Sequence, residues 1–199
     1  MAKGKNNKNN VSLGKPMVAG VIYRAPAGTK VPTDATTPLS DDFTSLGFVA
    51  EDGITNATDT DTTEVKEMGG GTVVKEISSY GETYQFVLLE TNGETLKVRY
   101  GDGNVTVDGD KIKVKHTAPS ADPHVYVLEI VLTGRRVKRI VIADGTLSEA
   151  GDITYSASDA IGYDVTISAN PSDQIEDGSS MEYIATIAAS APATKSAKN

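Results

Sequence analysis

The sequence predicts a mainly β fold, a sandwich or partly closed barrel with one α-helix packed against it. Alternation of apolar and polar residues with period two is far commoner along the chain than helical spacing. Glycine-containing turns punctuate that alternation. Only one segment carries both the start and the stop signals of a helix.

In chain order, the start MAKGKNNKNNVSLGK is basic like the leading region of a signal peptide. No continuous apolar stretch or small-residue cleavage site follows it, so we expect a protein that stays where it is made. Val31 to Gly53 is turn-rich and acidic, with Pro32 and Pro38 and a cluster of threonines. Nearly every residue of Glu51–Lys66 is Thr, Asp, Glu, Asn or Gly. Such a segment has too little apolar surface to order by burial and is expected to order on a partner. Gly69-Gly70-Gly71 reads as a hinge, because the lysine and hydroxyl residue of a phosphate loop do not follow it. Val73 to Leu89 reads as a strand pair or one long bent ribbon, broken at Ser79-Tyr80-Gly81-Glu82.

TNGETLKVRYG is the helix. Thr91 or Asn92 is the N-cap, Glu94 lies in the first turn, Leu96 and Tyr100 share a face, and Gly101 closes it. A strand with Leu96, Val98 and Tyr100 on one side is the competing reading. Gly101-Asp-Gly103-Asn and Asp108-Gly109 bracket short hairpin strands at Val105–Val107 and Ile112–Lys115. In HVYVLEIVLTG, Tyr126, Leu128, Ile130 and Leu132 stand opposite Val125, Val127, Glu129 and Val131, which suits a strand central in a sheet. Leu147–Asp152 reads as a short helical turn or a loop. Ile161, Tyr163, Val165 and Ile167 form a buried stripe, with Gly162, Asp164, Thr166 and Ser168 on the wet face.

The 199 residues suffice for one core, with or without arms. Cysteine is absent, so disulfides, thiolate metal sites and thiol nucleophiles are excluded. No apolar run approaches the length of a transmembrane helix. Charge is uneven around the net of −8. Lys3, Lys5, Lys8, Lys15, Arg24 and Lys30 precede the first acid, Asp34, and only Lys195 and Lys198 are charged after Glu182. Residues 34–187 therefore hold all 27 acids against eleven bases. A body of this charge repels phosphate; its basic ends read on composition as solubilising, disordered extensions, or else as arms that dock onto acidic bodies of neighbouring copies.

Chemistry is hard to find. His116 and His124 lack a ligand spacing for one helix or strand, and nothing around them suggests a Ser-His-Asp triad. DGNVTVDGD departs from a calcium loop, with Thr106 at a ligand position starting from Asp102 and no glutamate at the twelfth. Asp59, Asp61 and Glu64 read as a solvated acidic loop rather than a cation site. Arg135-Arg136-Val-Lys138-Arg139 divides between two strand faces and has no interleaved aromatics for base stacking. We expect no catalytic, metal or cofactor site and no enzymatic activity. A carbohydrate- or host-binding β-sandwich module of a virion is the alternative, and a hydrolase on a β-scaffold has no carboxylate pair to support it.

The order PTDATTPL, LGFVAEDGI, DTTEVKEMGGGTV, YQFVLLETNGETLKVRYG and then GRRVKRIVIADGTLSEAGDITYSASDAIGYDVTISANP resembles the major tail protein, or tail tube protein, of long-tailed bacteriophages. The resemblance spans roughly residues 30–187; Gly103–Pro123 and both tails depart from it. It implies a tail-tube-type β-sandwich with a flanking helix, in the virion tail after synthesis in the host cytoplasm. Its subunits would form hexameric rings stacked into a tube through which double-stranded DNA passes without specific binding. Tail terminator, tape measure and distal tail proteins would be further partners. On this reading residues 1–30 are an N-terminal arm, 31–187 the body and 188–199 a C-terminal arm. A loop at about 51–71 would make inter-ring contacts through Glu51, Asp52, Thr55, Asp59, Asp61, Glu64 and Lys66. Lys3, Lys5, Lys8 and Lys15 would serve the N-terminal arm, and the polar face of Asp164, Thr166 and Ser168 is a candidate for the bore.

Overall fold

A computed structural model describes residues 7–8, 11–17 and 20–187. Its strands are β1 (Gly14–Pro16), β2 (Ile22–Pro26), β3 (Thr44–Ser45), β4 (Val49–Lys66), β5 (Thr72–Leu88), β6 (Val105–Asp108), β7 (Lys111–Val114), β8 (His124–Leu132), β9 (Arg136–Ala150), β10 (Tyr163–Asn170) and β11 (Met181–Thr186). One α-helix, α1 (Gly93–Tyr100), lies between β5 and β6. The mainly β class with one flanking helix holds. Its main layer is one nine-stranded sheet not closed into a barrel, with β6 and β7 as a separate hairpin.

The sheet is organised by the β8–β9 hairpin. β8 pairs with β1 and β2 along its other edge, and β2 continues to β3. β9 is long enough to pair with two strands in succession, β11 along Arg136–Val141 and β10 along Asp144–Ala150. β10 then leads to β5 and β5 to β4, all antiparallel. β8 is central because both its faces are apolar: Tyr126 and Leu128 enter one core, Val125 and Val127 the other.

The larger core lies on the side where the sheet meets α1 and the β6–β7 hairpin. Tyr84, Phe86 and Leu88 of β5, Tyr163, Val165 and Ile167 of β10, and Ile140 and Ile142 of β9 pack there with Leu96, Val98 and Val105. At Gly145 the strand needs glycine, since a Cβ would stand 2.6 Å from the Tyr126 ring. On the opposite side a smaller core gathers Ala25, Val31, Val125, Val127, Val141, Ala143 and Ile175. Leu39 and Phe43 pack against it from the segment between β2 and β3.

The helix has the caps expected of it. Asn92 Oδ1 accepts from the Thr95 N–H at 2.9 Å, and Gly101, at φ 84°, donates its N–H to Lys97 O at 2.8 Å. Arg99 fixes the helix to the sheet by donating to the Asp164 and Gly151 carbonyls at 3.0 and 2.6 Å.

A buried ion pair holds the covering segment over the smaller core. Glu129 and Arg139 face each other across β8 and β9, 6% and 3% exposed, with Arg139 Nε 2.9 Å from Glu129 Oε1. Arg139 Nη1 also donates to the carbonyls of Asp34 and Thr37, both at 2.8 Å. Asp34 accepts the N–H groups of Thr36 and Thr37 and both their hydroxyls, and those bonds, Thr37's first, hold its carboxyl far below the ordinary range. The threonine cluster of this segment is therefore a turn closed by Asp34 and anchored by Arg139.

Two expectations change, and two strands are placed in the expected N-terminal arm. Leu147–Ala150 is strand rather than helical turn or loop, because the β10 backbone pairs with it. Ser79–Glu82 is not a break, since β5 runs through it. Within the expected N-terminal arm, Ile22–Pro26 is a largely buried strand against β8. Finally, β1 pairs with the molecule's own β8, which joins part of the N-terminal arm to the body.

Two measurements test this packing. Arg139→Ala strands the Glu129 carboxylate and is expected to cost about 3–5 kcal/mol in urea unfolding. Burial pushes the Tyr126 hydroxyl up to about 12, and burial, with Glu82 adding, drives Tyr84 higher still. Both ionise near 10 in an unfolded chain. Their contribution to stability is therefore complete below about pH 10 and is lost as pH rises towards about 12. An ultraviolet titration should show these two tyrosines ionising together with loss of circular dichroism.

Candidate assembly surface

The β4–β5 ribbon leaves the body. Every residue of β5 from Thr72 to Gly81 is exposed, and burial begins only at Glu82. At the rise of a strand, those ten residues extend on the order of 30 Å. β4 is equally exposed from Thr55 to Lys66. The expected loop at about 51–71 is thus a strand followed by a tight turn, in which Gly70 N–H donates to Glu67 O at 2.9 Å. Burial does not order this segment; its order comes from the β5 backbone, which pairs with it from Ile54 to Lys66. The ladder steps past Ser78 and Val73, which have no opposite residue.

Register assigns the side chains of this arm to two faces. One carries Thr55, Ala57, Asp59 and Asp61 opposite Gln85, Thr83, Gly81 and Ser79, with Ser79 Oγ donating to Asp61 at 2.9 Å. The other carries Asn56, Thr58, Thr60 and Thr62 opposite Tyr84, Glu82, Tyr80 and Ile77. Further out, Glu64 and Lys75 pair at 3.0 Å and Val65 faces Val74. Apolar side chains concentrate towards the tip: Val65, Met68, Val73, Val74 and Ile77 are all exposed.

The root is held by Glu82, only 8% exposed. Its Oε1 accepts from Asn56 Nδ2 and the Tyr84 hydroxyl, both at 2.9 Å, and its Oε2 from Ser180 Oγ at 3.0 Å. One carboxylate thereby joins both strands of the arm to the segment before β11.

The first face continues across β10 and the end of β9. Asp164, Thr166 and Ser168 are half-buried and stand beside Val87, Gln85 and Thr83; Thr166 and Ser168 also face Glu149 and Thr146 of β9. Gln85 Nε2 donates to Asp164 at 3.1 Å, and Asn170 Nδ2 to Asp144 at 2.9 Å. This is the half of the sheet that the smaller core does not cover. Among the residues placed here, acids number Asp59, Asp61, Asp144, Glu149 and Asp164, and no lysine or arginine stands among them. β4 at the end of the sheet and β11 beyond β9 each have one unpaired edge in the described residues.

Of the residues expected at contacts, Glu51, Asp52, Thr55, Asp59, Asp61, Glu64 and Lys66 all lie on β4 and are partly or fully exposed. They divide between the arm's two faces. Lys8 and Lys15 are exposed, while Lys3 and Lys5 lie outside the described residues. Sequence reasoning missed Glu82 and the apolar tip. The available signal was the glycine turn in EMGGGT directly before the β-prone run that starts at Thr72, which marks the tip of a hairpin.

Glu82→Ala removes the acceptor for Asn56, Tyr84 and Ser180 together. It is expected to cost about 1–3 kcal/mol in urea unfolding and to speed proteolytic cleavage of the arm relative to the body.

A family model described as phage tail tube protein matches residues 6–195. Among solved structures, the chain is similar to one in the cryo-EM structure of an extracellular contractile injection system, the PVC sheath-tube complex in its extended state. Identity is 8% over 87% of this chain and 93% of that one, with a TM-score of 0.39. It is also similar to a chain in the tail of an empty GTA particle determined with C6 helical symmetry, at 10% identity over 83% of this chain and 93% of that one, with a TM-score of 0.38. No curated protein matches the chain.

Proposed function

The chain belongs to the phage tail tube protein family, as a structural component of the virion tail, and we propose that it assembles through its β4–β5 arm into stacked hexameric rings that conduct the genome. The observation that carries this is an ordered ribbon about 30 Å long that touches little of its own body and gathers apolar side chains at its far end. Isolated two-stranded ribbons are marginal in water. A neighbouring copy supplies the missing cover, at the tip and along the unpaired β4 edge.

Rings and tubes follow from the same contact rule. Head-to-tail contacts that close around an axis make a ring, and those that do not close along it make a filament. Strand pairing between copies removes the open edges that would otherwise invite aggregation. The uncovered acidic face then turns to the bore. Phosphate meets like charge there and finds no lysine or arginine to exchange for its counterions, so double-stranded DNA slides without sticking. The role needs no catalysis and no cofactor. Lys3, Lys5, Lys8 and Lys15 meet acidic surface on an adjacent subunit, and tail terminator, tape measure and distal tail proteins bind the ends of the tube. Synthesis takes place in the host cytoplasm.

The test is electron microscopy of purified protein under conditions that drive assembly. The full chain should give hollow tubes or six-fold rings. A variant in which residues 60–80 are replaced by Asn-Gly, which closes the shortened hairpin at the Asp59–Gly81 pair, should keep its circular dichroism and form no tubes. Deleting residues 1–20 should likewise block polymerisation while leaving the β-fold. Unchanged tube yield from the arm-shortened chain would sink the proposal.

A further inference from the structure

Beneath α1, at the margin of the larger core, His124 of β8 faces Arg24 of β2 and Asp102 of the short turn that follows the helix. Arg24 is 7% exposed. Its Nη2 lies 2.7 Å from Asp102 Oδ1 and 2.6 Å from His124 Nε2. The same Nε2 lies 3.0 Å from Asp102 Oδ2, and His124 Nδ1 is 3.0 Å from the Asp122 carbonyl. A guanidinium only donates and a carboxylate only accepts. One imidazole nitrogen therefore cannot satisfy both neighbours in one protonation state.

Uncharged, His124 donates from Nδ1 to Asp122 O and accepts at Nε2 from Arg24, so that Asp102 Oδ2 faces a nitrogen with no hydrogen to offer it. Charged, it keeps the bond to Asp122 O and donates from Nε2 to Asp102, so the Arg24 contact is given up. The surroundings supply negative charge for the second arrangement. Glu94 of α1 lies 3.9 Å from Arg24 Nη1 and 2.6 Å from Lys97 Nζ, and Asp42 borders the same cleft. Asp122 spends its own carboxylate on Ser120, and Tyr126 stands beside Arg24 as a neutral neighbour. Counting Asp122, four acids thus face two permanent bases, and a proton on His124 offsets part of the excess. Although burial pushes the Asp102 carboxyl up, Arg24 and then His124 hold it below its ordinary range, so it stays ionised throughout.

We propose that His124 is a proton-operated latch between the sheet and the layer formed by α1 and the β6–β7 hairpin. With the imidazole charged, the Asp102 carboxylate is gripped from β2 and β8 at once, one oxygen by each strand. With it neutral, only Arg24 holds. Protonation of the imidazole therefore tightens the attachment of the outer layer.

Hydrogen exchange read on α1, β6 and β7, corrected for intrinsic rates, decides this on the full chain and on His124→Gln. Going from about pH 7.5 to about pH 5.5, protection of these amides should rise about ten-fold in the parent, the worth of one charge-assisted hydrogen bond, and stay level in the variant. No rise in the parent, or an equal rise in both, overturns the latch. Nitrogen NMR of the parent imidazole gives an independent reading that needs no variant. The neutral proton on Nδ1 supports the assignment, and the neutral proton on Nε2 overturns it.

Discussion

Whether a sheet face is buried depends on what the chain can lay across it, and here the covering segments stop part of the way. On the inner side α1 and the β6–β7 hairpin pack in one core with Tyr84, Phe86, Val165 and Ile167. On the outer side, Val31, Leu39, Phe43 and Ile175 reach the part built from β2, β8, β9 and β11. Nothing in the described residues crosses the part built from β10, β5 and β4. The composition of the strands follows that division. Where cover exists the outward residues are Val125, Val127 and Val141; where it ends they become Thr83, Gln85, Thr166 and Ser168.

The two kinds of outer surface require different fastenings. Over the covered half, a non-helical segment must be held down, and Arg139 does so by joining a buried carboxylate to two carbonyls of the Asp34 turn. Over the bare half no cover needs holding, but the departing arm needs a fixed angle. Glu82 supplies it with three donors from three segments. Each rests on a buried carboxylate, Glu129 or Glu82, whose loss leaves polar groups unsatisfied, so each costs more to break than it contributes as a single bond.

Much of the body was legible because burial writes a period into a sequence. The double-sided apolar pattern of His124–Leu132 placed β8 at the centre, the stripe Tyr163, Val165 and Ile167 located β10, and Asn92 with Gly101 bounded the helix. Of the arm, Val73–Leu89 reads as strand, whereas residues 51–71 read as a loop because β4 is wet on both faces from Thr55 onwards and shows no apolar alternation; only the β5 backbone makes it a strand. Leu147–Ala150 was lost for a related reason, since Gly145, Ser148, Glu149 and Gly151 look like turn chemistry until β10 lies alongside. The fastenings were invisible in principle. Glu82 meets Ser180 across 98 residues and Arg139 meets Asp34 across 105, and no local pattern links them.

The arm contains its own measure of length. Thr58 to Thr63 reads Thr-Asp-Thr-Asp-Thr-Thr, so a slip of two positions along β5 would return nearly every side chain to its own face and alternation could not oppose it. The unopposed residues Ser78 and Val73 oppose the slip, because each would have to move its kink to a new place in the ladder, and the Asn56–Glu82, Ser79–Asp61 and Lys75–Glu64 contacts would break with it. How far the tip stands from the body thus depends in part on two residues with no counterpart across the ribbon.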